Sequence, residues 1–280
     1  MSIEIQQLTY TYMKGTPFEK AALKDINLNI CKGEFVGIIG HTGSGKSTLI
    51  QHFNGLLKPS TGKVLVNGID TAGKGLKGLR QQVGIIFQYP EHQLFEETVL
   101  KDICFGLLKQ GLDEKQVDER VKESIKAVGL DDEILNKSPF ELSGGQKRRV
   151  AIAGVLAMKP DIIVLDEPTA GLDPGGRNEI FSFISQLHKK QGITIILVSH
   201  SMEDVAKYVN RVIVLNRGMI EMDGTPGEVF LNADRLVEIG LSAPQITYLM
   251  KRLKSIVPDI NDSIYSLEQA KREILRVLKR

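Results

Sequence analysis

Five short apolar runs rich in β-branched residues recur along the chain, and several are continuous rather than alternating. Continuous apolar runs are typical of strands that are covered on both faces of a parallel sheet. The runs span residues 35–39, 83–87, 162–165, 193–198 and 212–215. Segments long enough for helices separate them. The pattern therefore predicts an α/β fold around a largely parallel sheet.

The remaining segments predict three additions to this core. Residues 3–11 and 23–30 alternate between apolar and polar, which favours an antiparallel edge with one face in solvent. Apolar residues from 96 to 128 recur at helical spacing, which indicates a helical insertion over about 90–157. After a break at 223–227, helical patterns continue to the end. We therefore expect a main domain over 1–229 and a small helical extension over 230–280.

Composition excludes several classes of protein. Of 280 residues, 42% are hydrophobic and 25% charged, the ordinary balance of a globular chain. Lys and Arg number 36 against 34 Asp and Glu, so the net charge of +2 gives no electrostatic footprint for nucleic acid. The two cysteines are far apart and in no ligand-like spacing, which argues against a zinc or iron–sulfur site.

The sequence predicts no membrane-spanning segment. No apolar run approaches the roughly 18 residues that cross a bilayer, and the polar first ten residues lack the apolar core of a signal peptide. Any membrane role is therefore expected to come through a partner.

Residues 40–47, Gly-His-Thr-Gly-Ser-Gly-Lys-Ser, match the spacing G-x-x-x-x-G-K-[ST] of a phosphate-binding loop. The loop follows a predicted strand and precedes a helix that begins near Ser47, which is the context this loop requires. Glycines let backbone N–H groups converge on an anion, and the helix N-terminus adds a positive dipole. Lys46 can reach the β- and γ-phosphates, and the Ser47 hydroxyl can hold Mg²⁺.

A second candidate site element is the pair Asp166–Glu167, which directly follows the apolar run 162–165. The carboxyl end of this strand lies at the same sheet edge as the phosphate-binding loop. Asp166 can complete the Mg²⁺ shell. Glu167 is placed to orient or deprotonate an attacking water.

Further motifs carry a family resemblance. Residues 142–146 are Leu-Ser-Gly-Gly-Gln before a helical run, Gln88 follows the second strand run, and His200 follows the fourth. With Asp173 after the carboxylates, these residues resemble the signature, Q-loop, H-switch and D-loop of ATP-binding cassette (ABC) ATPases, over about residues 1–225. The resemblance implies a P-loop NTPase core that binds ATP and Mg²⁺.

In this family the signature segment faces the ATP of the opposite subunit, so two cassettes meet head to tail. Ser143 suits a helix N-cap, and Gly144 and Gly145 expose N–H groups. The resemblance assigns nucleotide binding to Tyr12, Gly40, His41, Thr42, Gly43, Ser44, Gly45, Lys46, Ser47, Thr48, Ser143, Gly144, Gly145, Gln146 and Asp173.

The same resemblance assigns the chemistry. Mg²⁺ is expected on Ser47, Gln88 and Asp166, and catalysis on Glu167, His200 and Gln88. Tyr12 is expected to stack on adenine, with Tyr10 as the alternative because strand alternation lets both face one side. Asp173 is expected to reach across the dimer interface, or to be only a turn residue.

Residues 89–95, Tyr-Pro-Glu-His-Gln-Leu-Phe, resemble the cassettes of energy-coupling factor (ECF) importers of vitamins and other micronutrients. His41–Thr42 and residues 15–19 fit the same group, and residues 15–19 point to the second, A-prime, ATPase of such modules. The resemblance implies a paralogous ATPase as partner, with a homodimer as the alternative. It implies an integral-membrane T-component near Gln93, Leu94 and Phe95.

The partner helix is expected to present apolar and Arg side chains to this segment, because Glu91, Glu96 and Glu97 flank it. A substrate-binding S-component is expected to take part indirectly, and the extension to contact the other ATPase. The chain is expected at the cytoplasmic face of the cell membrane, as a peripheral subunit. The alternatives are a dedicated cobalt or nickel importer, a soluble ABC protein of DNA repair or translation, and a P-loop kinase.

Overall fold

The structure, a computed structural model, describes residues 1–278, so residues 279–280 of the expected extension lie outside it. The described chain forms ten strands and eleven α-helices. The strands are β1 (Ile3–Tyr12), β2 (Lys20–Ile30), β3 (Phe35–Ile39), β4 (Thr61–Val66), β5 (Ile69–Asp70), β6 (Val83–Ile86), β7 (Ile162–Asp166), β8 (Thr194–Val198), β9 (Arg211–Asn216) and β10 (Met219–Gly224). The helices are α1 (Lys46–Phe53), α2 (Lys77–Gln82), α3 (Val99–Leu107), α4 (Glu114–Ala127), α5 (Gly144–Ala157), α6 (Pro174–Gln191), α7 (Met202–Tyr208), α8 (Pro226–Leu231), α9 (Ala233–Glu238), α10 (Gln245–Ile256) and α11 (Leu267–Leu278).

The central sheet has the order β10-β9-β3-β8-β7-β6. Its strands from β9 to β6 pair in parallel, and β10 pairs antiparallel at the edge. All residues of β3, β6 and β8 are buried, which explains why their apolar runs are continuous. The five apolar runs are confirmed as strands, with ends shifted by a single residue at β6, β7, β8 and β9.

The N-terminal strands form a second sheet rather than an edge of the first. Its order is β2-β1-β4-β5, and all its pairs are antiparallel. The pairing of β1 with β2 shifts register between Leu8 and Tyr10 and again before Thr11. These irregularities redirect side chains at the end of β1, beside the phosphate-binding loop.

The helical insertion contains α3, α4 and α5. Val99, Ile103 and Leu107 form the buried stripe of α3, as their spacing predicts. Thr98 caps α3 by accepting from the Lys101 N–H, and Asp113 with Gln116 forms a capping box at α4. The insertion shares one hydrophobic core with the face of the central sheet that carries Phe35, Ile163 and Ile195.

The expected boundary between residues 229 and 230 falls inside α8. Phe230, Ala233 and Leu236 are fully buried and pack with the main core. A separate small cluster forms later, around Met250, Ile260, Ile264 and Ala270. No helix among residues 1–278 combines the length and the apolar character needed to cross a membrane.

Phe230→Ala should lower the free energy of unfolding by about 3–5 kcal/mol, because it leaves a cavity where a fully buried ring joins the C-terminal helices to the core. Urea unfolding followed by circular dichroism measures the change. Phe18→Ala is the control, since Phe18 is 78% exposed. A loss below about 1 kcal/mol at Phe230 would contradict this packing.

Candidate functional site

The phosphate-binding loop connects the end of β3 to the start of α1. At Gly45 the backbone has φ 108°, in the left-handed region that favours glycine. A Cβ on Gly45 would lie 2.8 Å from the Ala22 carbonyl oxygen, and one on Gly40 would lie 2.4 Å from that of Leu215. Only glycine therefore fits where this loop crosses the neighbouring strands.

Lys46, the first residue of α1, folds back over the loop. Its Nζ donates to the carbonyl oxygens of Gly40, at 2.6 Å, and His41, at 3.1 Å. Burial lowers the pKa of its ammonium group, and the charges of Glu167 and Asp166 oppose that effect. The ammonium group is thus held next to the loop, close to both carboxylates.

Asp166 ends β7 and faces α1. Its Oδ2 accepts from the Ser47 hydroxyl at 3.4 Å. Burial raises the pKa of this carboxyl, while Ser47 and Lys46 oppose the rise. The hydroxyl, the carboxylate and the nearby Gln88 amide are oxygen donors of the kind that Mg²⁺ prefers, so this donor set fits the metal.

Glu167 begins the turn after β7 and has an unusual backbone conformation. Its backbone has φ 51°, although it carries a side chain. Its Oε1 is buried without a hydrogen-bond partner, and His200 Nε2 lies 3.5 Å away. Burial, and to a lesser extent the charge of Asp166, raises the pKa of Glu167 to about 7. Such a carboxyl suits proton transfer near neutral pH.

His200 follows β8 at the same sheet edge. Burial and the charge of Lys46 both lower the pKa of its imidazole. The neutral ring can donate one hydrogen bond to an anionic group without adding a positive charge.

One pocket of about 440 Å³ brings most of the expected residues together. It is lined by Tyr12, Lys20, Ala22, Thr42, Gly43, Gly45, Lys46, Ser47, Thr48, Gln88, Asp166, Glu167 and His200. Gly40, His41 and Ser44 belong to the loop but do not line the pocket. The segment 143–146 and Asp173 do not line it either.

The structure separates the roles of the two tyrosines at the end of β1. Tyr12 lines the pocket, and its hydroxyl lies 3.1 Å from the Thr48 hydroxyl. Tyr10 does not line it. Its ring instead packs edge-on against Tyr12 and against His52, which is fully buried in α1. The geometry therefore favours Tyr12 over Tyr10 as the nucleotide contact.

The segment at 143–146 begins α5 as expected. Ser143 Oγ accepts from the Gln146 N–H at 3.3 Å, and Gln146 Oε1 accepts from the Ser143 N–H at 3.0 Å. Apart from the neighbouring backbone of α5, no heavy atom of residues 1–278 lies within 4 Å of the positions that Cβ atoms would take on Gly144 and Gly145. The positive end of α5 therefore opens to solvent.

Asp173 caps another helix. Its Oδ1 accepts from the Gly176 N–H at 2.8 Å, at the start of α6. The carboxylate thus has a structural role within the chain, which is compatible with either expectation for it.

A groove of about 880 Å³ lies between the insertion and α2. Gln93, Leu94 and Phe95 line it, and α5 lines it with Val150, Ala151, Gly154, Val155 and Met158. Glu91, which was expected to flank the partner contact, turns inward, where its two oxygens accept from Arg148 at 2.7 and 3.0 Å. Glu97, in turn, pairs with Lys101 on the surface.

Sequence reasoning missed two groups of residues. Lys20 and Ala22 line the nucleotide pocket from the start of β2, ahead of the segment 23–30 whose alternation predicted a strand. Arg148 was missed because its partner lies 57 positions earlier, so no local spacing could reveal the pair.

Comparisons with known proteins agree with this geometry. A family model described as ABC transporter matches residues 23–170. The chain is 62% identical over 280 residues to the energy-coupling factor transporter ATP-binding protein EcfA2 of Acetivibrio thermocellus, covering 100% of both chains. It is 56% identical over 283 residues to the protein of the same name from Clostridioides difficile, covering 100% of this chain and 98% of the relative.

Solved structures show the same fold. One is cbiO1 from Clostridium perfringens, described as part of the ABC transporter complex cbiONQ, with a TM-score of 0.75 and 42% identity over 89% of this chain and 98% of that one. Another is a dimeric ATP-binding cassette in a post-hydrolysis state with ADP and phosphate. It has a TM-score of 0.71 and 32% identity over 80% of this chain and 98% of that one.

Glu167→Gln should stabilise the nucleotide-free protein in a pH-dependent way. Because the folded pKa of about 7 exceeds the ordinary 4.5, the native state loses stability as pH rises through this range. The amide removes that loss. We expect the free energy of unfolding to rise little at pH 5 and by about 1–2 kcal/mol above pH 7.5. Solvent screening of the partly exposed carboxylate keeps the gain this small.

Thermal unfolding in EDTA across pH 5–8 measures this gain. Glu97→Gln is the control, since Glu97 lies on the surface and its hydrogen bond with Lys101 lowers the pKa of its carboxyl. A gain at Glu167 that is equal at pH 5 and pH 8 would show that its charge is not the cause.

Proposed function

The chain belongs to the ABC transporter family, among the energy-coupling factor ATP-binding proteins of the A-prime (EcfA2) type, and from this premise we propose how its site works. It is the ATP-binding subunit of an ECF importer, and it hydrolyses ATP to drive uptake. One observation carries the mechanism. A single pocket joins the phosphate-binding loop, Asp166, Glu167, Gln88 and His200, while the helix end at Ser143 opens elsewhere.

ATP is proposed to place its phosphates on the loop. The N–H groups of residues 43–48 and the α1 dipole favour the anion. Lys46 would turn from the Gly40 and His41 carbonyls toward the β- and γ-phosphates, exchanging two neutral acceptors for charged ones. Tyr12, fixed through the Thr48 hydroxyl, would stack on the adenine.

Mg²⁺ is proposed to be held by Ser47, Asp166 and Gln88. When bound, the metal neutralises charge on the β- and γ-phosphate oxygens. Ser47 and Asp166 already lie within hydrogen-bond distance of each other, so they need little rearrangement to share a cation. A cation would also lower the pKa of Asp166, which burial otherwise raises.

Glu167 is proposed to orient the attacking water and accept its proton. Its free Oε1 is available for that contact, and its raised pKa makes this carboxylate a stronger base than an ordinary glutamate. His200, 3.5 Å away, would donate to the γ-phosphate. Gln88, which also lines the pocket, would help to hold the water.

Each site is proposed to be completed by a second ATPase subunit. Ser143, Gly144, Gly145 and Gln146 present a capped positive helix end that does not line the nucleotide pocket of their own chain. A paralogous ATPase is the proposed partner, and a homodimer is the alternative. Asp173 would meet the partner near the same interface, and the C-terminal helices would keep the pair together.

The groove beside the insertion is proposed to receive helices of the membrane T-component. Phe95 and Phe105 are partly exposed there and pack edge-on against each other. Since Glu91 is already paired with Arg148, apolar contact is the main attraction. The chain would then sit at the cytoplasmic face of the membrane, and the S-component would select a vitamin or other micronutrient. The resemblance of the whole chain to ECF proteins favours this function over a dedicated metal importer or a soluble ABC protein.

Glu167→Gln tests the proposed mechanism. The variant should bind ATP with an affinity within about threefold of wild type but hydrolyse it at least about 100-fold more slowly, because positioning and proton transfer are both lost. It should also accumulate as an ATP-dependent dimer. Single-turnover hydrolysis and light scattering measure the two effects, with Glu179→Gln on the exposed surface of α6 as control. Undiminished hydrolysis would exclude Glu167 as the base.

A further inference from the structure

The guanidinium group of Arg148 joins three segments that are distant in sequence. Arg148 lies in α5 and its side chain is only 3% exposed. On one side, Nε and Nη2 donate to the two carboxylate oxygens of Glu91 at 3.0 and 2.7 Å. On the other side, Nη1 donates to the carbonyl oxygens of Ala170, at 2.7 Å, and Pro168, at 3.4 Å. One rigid planar group thus fixes all three segments.

Glu91 lies next to the residues that line the groove. Glu91 lies in a short helical turn, Pro90–Gln93, that leads directly into Leu94 and Phe95 of the groove wall. The helix of Arg148 supplies the facing wall through Ala151 and Val155. A helix seated in the groove would therefore press on both elements that carry the ion pair.

The two carbonyl groups that Arg148 binds lie directly after Glu167, in the hydrolysis site. Ala170 N–H donates to the Glu167 carbonyl at 3.1 Å, which closes the turn after the candidate base. Glu167 holds a positive φ in this turn, a backbone geometry that persists only where its surroundings enforce it. Arg148 holds two carbonyl groups of this same turn.

A second contact runs parallel to the first. The Tyr89 ring lies 3.7 Å from the position that a Cβ would take on Gly171. The segment after Gln88 is thus linked to the segment after Glu167 through Arg148 and lies close to it again at Gly171. Displacement of one segment must be accommodated by the other.

The ion pair is specific as well as buried. Burial would raise the pKa of Glu91, but the hydrogen bonds and charge of Arg148 hold it below its usual value. The carboxylate is therefore ionised and bound in a two-pronged geometry that lysine cannot reproduce. A simple packing role would not require such geometry.

We propose that Arg148 is a positioning residue that couples occupation of the groove to the placement of Glu167. This inference rests on the proposed function, in which a membrane partner fills the groove. With the groove filled, Glu91 and α5 are fixed, and Arg148 holds the Pro168–Ala170 carbonyls so that Glu167 faces the water. Without the link, ATP still binds, but hydrolysis no longer responds to the membrane partner.

The test compares Glu91→Gln, Arg148→Lys and their double variant in the transporter complex co-purified with its membrane partners. Arg149→Lys is the matched control, because Arg149 is the next residue of α5 and its side-chain polar contacts within residues 1–278 are long, 3.5 Å to the Gly129 carbonyl and 3.8 Å to Glu179. Steady-state kinetics with MgATP give kcat and KM for each complex. The same assay on the ATPase subunits without membrane partners gives the stimulation factor.

We expect Glu91→Gln and Arg148→Lys each to lower kcat of the complex by about 10- to 100-fold, as misplacing a catalytic group by an ångström does. KM for MgATP should stay within about twofold, because neither residue lines the nucleotide pocket. The double variant should lose no more than the worse single variant, since both break one link. The stimulation factor should fall toward one, and Arg149→Lys should behave as wild type.

Several outcomes would overturn the inference. Unchanged kcat in both single variants, losses that multiply in the double variant, or an equal rise in KM would each exclude a positioning role. If Arg148→Lys does not assemble, Glu91→Gln decides alone, because it keeps the shape of the side chain. A wild-type complex without stimulation would instead reject the proposed membrane coupling, and this inference with it.

Discussion

The shared nucleotide site depends on the helix end at Ser143, whose positive dipole favours an anion but which does not line the pocket of the chain's own phosphate loop. Ser143 and Gln146 satisfy each other's backbone groups, and the two glycines between them leave the approach open. The end of α1, by contrast, lines the pocket that holds Lys46, Asp166 and Glu167. A nucleotide that needs both positive helix ends must therefore lie between two chains.

The fold supplies the rest of the site with little strain. Parallel strands β3, β7 and β8 end at one edge of the sheet, so the loop, the carboxylates and His200 meet there without long connections. The cost is concentrated at Glu167, where a positive φ coincides with a buried, unpartnered oxygen. The buried Arg148–Glu91 pair lies directly behind that turn, which links the strained position to the groove.

Local sequence patterns predicted the elements whose chemistry is local. The phosphate loop, the Asp166–Glu167 pair and the cap at Ser143 each depend on neighbours within a few residues, and the structure places them as expected. Strand alternation places Tyr10 and Tyr12 on the same side and so could not separate them. The pairing of β1 with β2 shifts register on both sides of Tyr10, and alternation does not show such shifts. Spacing could not show that Glu91 turns inward, since Arg148 meets it only after the insertion folds.

The most direct test uses homodimers of this chain, prepared without the paralogous ATPase, and mixes two variants that are each inactive alone. Lys46→Ala disables the loop half of a site and Ser143→Arg disables the helix half. If sites are shared head to tail, mixed dimers contain one intact site. An equimolar mixture should then recover up to about a quarter of wild-type ATP hydrolysis. A mixture as inactive as its components, with mixed dimers verified by cross-linking, would contradict the shared site.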